Sequence, residues 1–106
     1  MLANKKCTPC EGGTKPMTKK EAEEYLSQVK DWSLAGHKME KAFVFKDFKE
    51  AMKFVNKVAE IAESEGHHPD IHISWNRVRL DLSTHSIRGL SENDFILAAK
   101  IDRLEQ

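Results

Sequence analysis

His67 and His68 stand side by side ahead of Pro69, and His85 sits between Thr84 and Ser86, with Ser83 just before. Histidine is the side chain whose ordinary pKa lies near neutral, so one ring can give a proton while another accepts one. Two or three such rings suit a reaction that loses water. That chemistry needs an acid on the departing hydroxyl and a base on the neighbouring N–H or C–H. The hydroxyls of Ser83, Thr84 and Ser86 bring further donors and acceptors. On spacing alone the same residues also read as solvated loop histidines, or as three ligands for zinc. The chain contains no G-x-S-x-G, no phosphate-cradling glycine loop and no second cysteine pair, so the nucleophile-elbow and P-loop chemistries find no support.

A hairpin is what could bring these histidines together. Beyond Pro69 the apolar period is two: Ile71, Ile73 and Trp75, then Val78, Leu80 and Leu82. A two-residue loop at Asn76-Arg77, with Asn taking the positive φ of such a turn, pairs Trp75 with Val78, Ile73 with Leu80 and Ile71 with Leu82. Every apolar residue then meets another on one face, which favours that register. The same rule sets Asp70 opposite Ser83 and His68 opposite His85, so three of the five histidines converge at the open end of the hairpin. It also sets His72 beside Asp81, as a surface hydrogen bond. His37 falls in a turn and is expected to be solvated.

Other elements must carry this hairpin. Thr18 with Glu21 forms a capping box, and Ala22, Tyr25, Leu26 and Val29 follow at helical spacing, predicting a helix that stops near Lys30. Trp32 to Leu34 and Lys38 to Phe45 read as a second hairpin turning near Gly36, with Met39, Lys41, Phe43 and Phe45 on one face. Asp47 and Glu50 cap a long helix bearing Phe48, Ala51, Met52, Val55, Val58, Ala59 and Ala62, which ends at Gly66. Ser91 with Asp94 caps a last helix. The order helix, two strands, helix, two strands, helix predicts an α+β domain: a four-stranded antiparallel sheet with three helices on one face. The free sheet face and edges of so small a domain predict a homodimer at least.

Composition narrows the function classes. Lys plus Arg is 17 and Asp plus Glu is 17, and this balance argues against nucleic acid and against an electrostatic membrane anchor. The longest apolar run, Phe95 to Ala99, is far short of the roughly 20 residues of a membrane span. With no secretory signal in view, a cytoplasmic protein is expected. Residues 1–16 read as a flexible arm before a single domain over 17–106. Cys7 and Cys10 within that arm read as two solvated thiols ahead of a redox pair or half a zinc site, since Pro9, Gly12 and Gly13 surround them.

The stretches Gly66-His67-His68-Pro69-Asp70, Trp75-Asn76-Arg77-Val78, Leu82-Ser83-Thr84-His85 and Gly89-Leu90-Ser91 resemble the pterin-4a-carbinolamine dehydratase family, from about Met17 to the C-terminus. An animal member also serves as dimerisation cofactor of a homeodomain transcription factor. The resemblance implies dehydration of 4a-hydroxytetrahydropterin to quinonoid dihydropterin with no metal and no organic cofactor. It implies His67, His68 and His85 as catalytic residues and a pterin site at Gly66, Pro69, Ser83, Thr84 and Ser86, in a chain that is a dimer or tetramer. Animal members carry an acidic residue just before the histidine pair, where this chain has Gly66, leaving Glu63 or Glu65 to supply the carboxylate. Two other readings stay open: a non-catalytic dimerisation or interaction module, and an accessory role in another pterin pathway such as molybdenum cofactor metabolism.

Overall fold

The computed structural model describes residues 2–8 and 15–104. The chain runs through α1 (Lys19–Leu26), β1 (Ser33–Ala35), β2 (Lys38–Val44), α2 (Phe48–Glu65), β3 (Asp70–Ser74), β4 (Arg77–Leu82) and α3 (Glu92–Asp102), with 3-10 turns at Leu2–Asn4 and His85–Ile87. The strands form one antiparallel sheet in the order β1-β2-β4-β3. This is the α+β architecture expected from the helix caps and the change of period after Pro69.

Each helix begins where its cap says it should. Thr18 Oγ1 accepts from Glu21 N at 3.1 Å while Glu21 Oε1 accepts from Thr18 N at 2.9 Å. Asp47 Oδ1 accepts from Glu50 N at 2.9 Å. Gly66 ends α2 in the left-handed region, φ 64°, which a Cβ would disfavour. The first helix stops at Leu26 rather than near Lys30, because the chain breaks into turns there. The Lys30 N–H is claimed by Asp102 Oδ2 at 2.9 Å, and Asp31 takes a positive φ of 61°.

Met39, Phe43, Val78, Leu80 and Leu82 cover the inner face of the sheet and bury against Phe54, Val58, Phe95, Ile96 and their neighbours. Of the stripe expected on α2, Phe48 in the first turn stays outside the core and is 51% exposed. Ala59 is exposed as well.

The β3–β4 register differs from the sequence expectation by two residues. Ile73 pairs with Val78, Ile71 with Leu80 and Asp70 with Asp81, so the loop is Trp75-Asn76 and Trp75, not Asn76, holds the positive φ of 50°. Face matching could not separate the two registers, since a shift of two leaves every side chain on the same face. Contacts outside the hairpin decide it. Phe45 N donates to Asn76 O at 2.8 Å, and Asn76 Nδ2 donates to Phe45 O at 2.9 Å. With Phe43 also opposite Val78 on β2, the turn is pinned and Trp75 is left 67% exposed.

The N-terminal segment is a second correction. Leu2 and Ala3 are buried in the core, Lys100 Nζ donates to Ala3 O at 2.9 Å, and the Leu2–Asn4 turn packs on α3. Residues 2–8 are therefore part of the folded body rather than a flexible arm. Cys10 lies outside the described residues, and Cys7 is half-buried rather than solvated.

Two polar networks brace the fold, one between helix and sheet and one across the strands. Asp102, the last residue of α3, accepts from Lys41 Nζ at 3.1 Å, Trp32 Nε1 at 3.0 Å and Lys30 N at 2.9 Å. Lys41 is buried on the inner face, with its ammonium 4.8 Å above the Phe43 ring. Asp102→Ala removes the carboxylate opposite a buried cation and should cost about 3 kcal/mol in urea unfolding. The joint change Lys41→Met with Asp102→Leu should cost clearly less, because no buried charge is then left behind.

On the opposite sheet face, burial pulls the Asp81 carboxyl upward. Hydrogen bonds from Lys38, Arg79 and His72 outweigh that pull and hold it below the ordinary aspartate value. The stabilised form is the charged one. Its contribution is present above the unfolded-chain pKa of about 3.9 and is lost as pH falls through the lower folded value. Asp81→Asn should thus lower Tm at neutral pH and flatten the loss of Tm on acidification below about 4. Parallel acid profiles for the two proteins would contradict this.

Candidate active site

Gly66 turns the chain out of α2, and the next side chain, His67, runs back under α3. The His67 ring is 13% exposed and its Nε2 lies 2.6 Å from Asp94 Oδ1. Asp94 is fully buried in the first turn of α3. Its other oxygen accepts from Ser91 N at 3.0 Å and from Thr84 Oγ1 at 2.9 Å. Thr84 Oγ1 in turn accepts from Ser91 Oγ at 2.7 Å, since the threonine proton is already committed to the carboxylate. An acceptor-only carboxylate among these groups makes His67 Nε2 the donor, which leaves Nδ1 as the nitrogen available for proton transfer.

The loop after β4 is built to stay put. Thr84 N donates to Gly89 O at 2.8 Å, the His85–Ile87 turn closes between them, and Arg88 takes φ 54°. Gly89 has a steric role: a Cβ there would lie 2.6 Å from Pro16 Cβ. Met17 N also donates to Leu90 O at 2.8 Å. The loop so held carries Ser83, Thr84, His85 and Ser86 along one side of a cleft of about 460 Å³. Gly66, His67, His68 and Pro69 line it as well, so all eight residues singled out in the sequence share one cavity. Its volume falls within the ordinary range for a small organic ligand.

What gathers these residues is the junction of α2 and β3 meeting the loop after β4, rather than direct pairing of His68 with His85. His68 is exposed, with Nε2 2.5 Å from Glu63 Oε2. Glu63 thus supplies a carboxylate to the histidine pair, from one turn back on α2. Glu65 is nearly buried and lines the cleft. The N–H of Cys7 donates to its Oε1 at 2.8 Å, outweighing the upward pull of burial, and Lys100 lies 3.7 Å from Oε2. Together they hold the Glu65 carboxyl below its ordinary value.

Sequence reasoning read Asp94 as a helix cap only. The available signal was an acid set directly against the wholly apolar run from Phe95, a place where a charge must be paired. Asp70, Asn93, Cys7 and Thr8 also line the cleft and were not anticipated. Burial first, then the Glu65 charge, pushes the Cys7 thiol up to about 12, so it stays protonated and poorly nucleophilic. His72 bonds Asp81 at 3.0 Å, away from the cleft. Among the described residues no three histidine, cysteine or acidic side chains are placed to hold a metal ion, and no helix is long and apolar enough to cross a membrane.

Comparison with known proteins agrees with this arrangement. The family described as Pterin 4 alpha carbinolamine dehydratase matches residues 15–104. A protein of Methylococcus capsulatus is 51% identical over 105 residues, covering 97% of this chain and 92% of that one. One of Alkaliphilus metalliredigens is 48% identical over 104 residues, covering 96% and 94%. Both carry the name "Putative pterin-4-alpha-carbinolamine dehydratase". Among solved structures, a transcriptional coactivator/pterin dehydratase from Brucella melitensis superposes with a TM-score of 0.81 at 32% identity, covering 86% of this chain and 99% of that one. A pterin dehydratase-like protein described as a RuBisCO assembly factor, 23% identical with a TM-score of 0.57, shares the fold. Architecture, cleft and sequence matches agree: the chain belongs to the pterin-4a-carbinolamine dehydratase family.

Proposed function

We propose that this chain dehydrates 4a-hydroxytetrahydropterin to quinonoid dihydropterin by histidine acid–base catalysis, as a step in pterin cofactor recycling. The observation that carries the reading is the cleft itself. Three imidazoles line it, and one of them, His67, is held by a buried carboxylate with a single nitrogen left for chemistry.

The reaction breaks the C4a–O bond and the N5–H bond and forms the C4a–N5 double bond. Hydroxide is a poor leaving group, so an imidazolium protonates the oxygen as it departs as water. A neutral imidazole takes the N5 proton while the N5–H electrons become the new double bond. The two rings then re-equilibrate through solvent, and each positioned transfer is worth roughly 10²–10⁴-fold. The exposed His68 and His85 reach solvent readily; His67 contributes through Nδ1. Ser83, Ser86, Gly66 and Pro69 would contact the pterin ring. No metal or organic cofactor enters this scheme. Val44 and Trp75, each 67% exposed at the same end of the sheet, support the homo-oligomer. The even balance of charge supports a role without nucleic acid.

Stopped-flow decay of the carbinolamine tests the assignment. Single alanine changes at His67, His68 or His85 should each lower kcat, and the His67/His85 double change should bring it near the uncatalysed rate, with chelators leaving the wild type unaffected. A folded double variant with wild-type turnover would sink the scheme, and a pure interaction module would show no turnover even in the wild type.

Asp94 acts through His67. Asp94→Asn should lower kcat about 10²-fold, with KM little changed and a displaced limb in the pH–rate profile. In a His67→Ala background the same change should have no further effect on kcat. Additive losses would show that Asp94 serves the fold alone.

A further inference from the structure

The N-terminal segment reaches the cleft from outside the span matched by the family model, which begins at residue 15. Leu2 and Ala3 anchor it on α3. Lys5 Nζ meets Glu92 Oε2 at 2.8 Å, and Arg103 meets Asn4 Oδ1 at 3.0 Å. From that anchor the chain passes to Cys7 and Thr8, both of which line the cleft. Four contacts fix them there. Cys7 N donates to Glu65 Oε1 at 2.8 Å, and Cys7 Sγ lies 3.6 Å from Asn93 O. Thr8 N donates to Asn93 Oδ1 at 2.9 Å, and Asn93 Nδ2 donates to Thr8 O at 2.5 Å. The last two form a closed pair between a buried side-chain amide and the backbone N–H and C=O of one residue, so Thr8 has little freedom to swing away. Both partners, Glu65 and Asn93, are themselves cleft residues.

We propose that Cys7 and Thr8 are a substrate-binding wall of the pterin cleft, held in place by Asn93 and Glu65. This rests on the dehydratase reading of the same site and adds a part of the chain to it. A bicyclic pterin binds by burying most of its surface, and small-ligand sites enclose about 70–90% of the ligand. Without residues 7 and 8 the cleft would lose the side they supply while keeping all three histidines. The segment's contribution is therefore to binding, and it should appear in KM rather than in kcat.

The test uses the full-length chain with Thr8→Pro, which deletes the N–H donated to Asn93 while leaving Asn93 and the Leu2–Ala3 anchor intact. Asn93→Ala, which releases both bonds, is the second variant. Lys5→Ala, which breaks the exposed ion pair of the same segment away from the cleft, is the control. Equilibrium binding of a stable dihydropterin and stopped-flow dehydration are measured on each. Both wall variants should weaken binding and raise KM about tenfold with kcat within about twofold of wild type, while Lys5→Ala matches wild type. Folded wall variants with wild-type KM and binding would overturn the proposal, and so would a lowered Tm with KM unchanged. If the unaltered chain bound pterin but failed to turn the carbinolamine over, the dehydratase reading would fall, while the binding comparison could still be read.

Discussion

A carboxylate sealed from water costs several kcal/mol unless its surroundings replace the lost hydration, and Asp94 is sealed completely. Three separate segments meet that demand: Ser91 from the cap of α3, Thr84 from the loop after β4, and His67 from the junction of α2 and β3. The positive end of the α3 dipole adds to them. The start of α3, the path of the 83–91 loop and the orientation of one imidazole are thus set by the two oxygens of a single side chain. The group that resolves the electrostatic problem of its own burial also leaves His67 with one nitrogen for chemistry. Fold and site here share one constraint.

The other end of α3 repeats the device for stability. Asp102 is a negative charge at the helix C-terminus, where the dipole opposes it. It persists because Lys41 of β2, Trp32 and the Lys30 N–H all converge on it. α3 is therefore tied at its first turn to the cleft-forming loop and at its last residue to the sheet and to the turns after α1. Between these ties nearly every residue from Asn93 to Ile101 is buried. A helix with so little polar face needs cover on more than the sheet side. The Leu2–Asn4 turn supplies some of it, packing on α3, and the same segment continues to the cleft.

The sequence by itself determined the secondary elements and their order, because these depend on local chemistry, while the eight cleft residues were named from the histidine pattern together with the family resemblance. Thr18 with Glu21, Asp47 with Glu50, and Gly66 announce helix ends through bonds made within a few residues. The alternation from Ile71 to Leu82 fixes which face of the hairpin is buried. Even the inward placement of Lys41 was legible from its position between Met39 and Phe43.

Only the tertiary structure decided the rest, because the deciding partners lie far away in sequence. Two hairpin registers satisfied the same face pattern, and Phe45, some thirty residues before Asn76, selected between them. The role of Asp94 needed His67, 27 residues away, and Thr84, 10 residues away. The packing of residues 2–8 needed α3, 85 to 97 residues further on. The run Phe95 to Ala99 did show that something must cover this helix, but an apolar surface is non-directional and does not name its partner. Local hydrogen bonds and hydrophobic period can be read from the chain; which distant surface satisfies a buried face or a buried charge is settled only when the chain closes on itself.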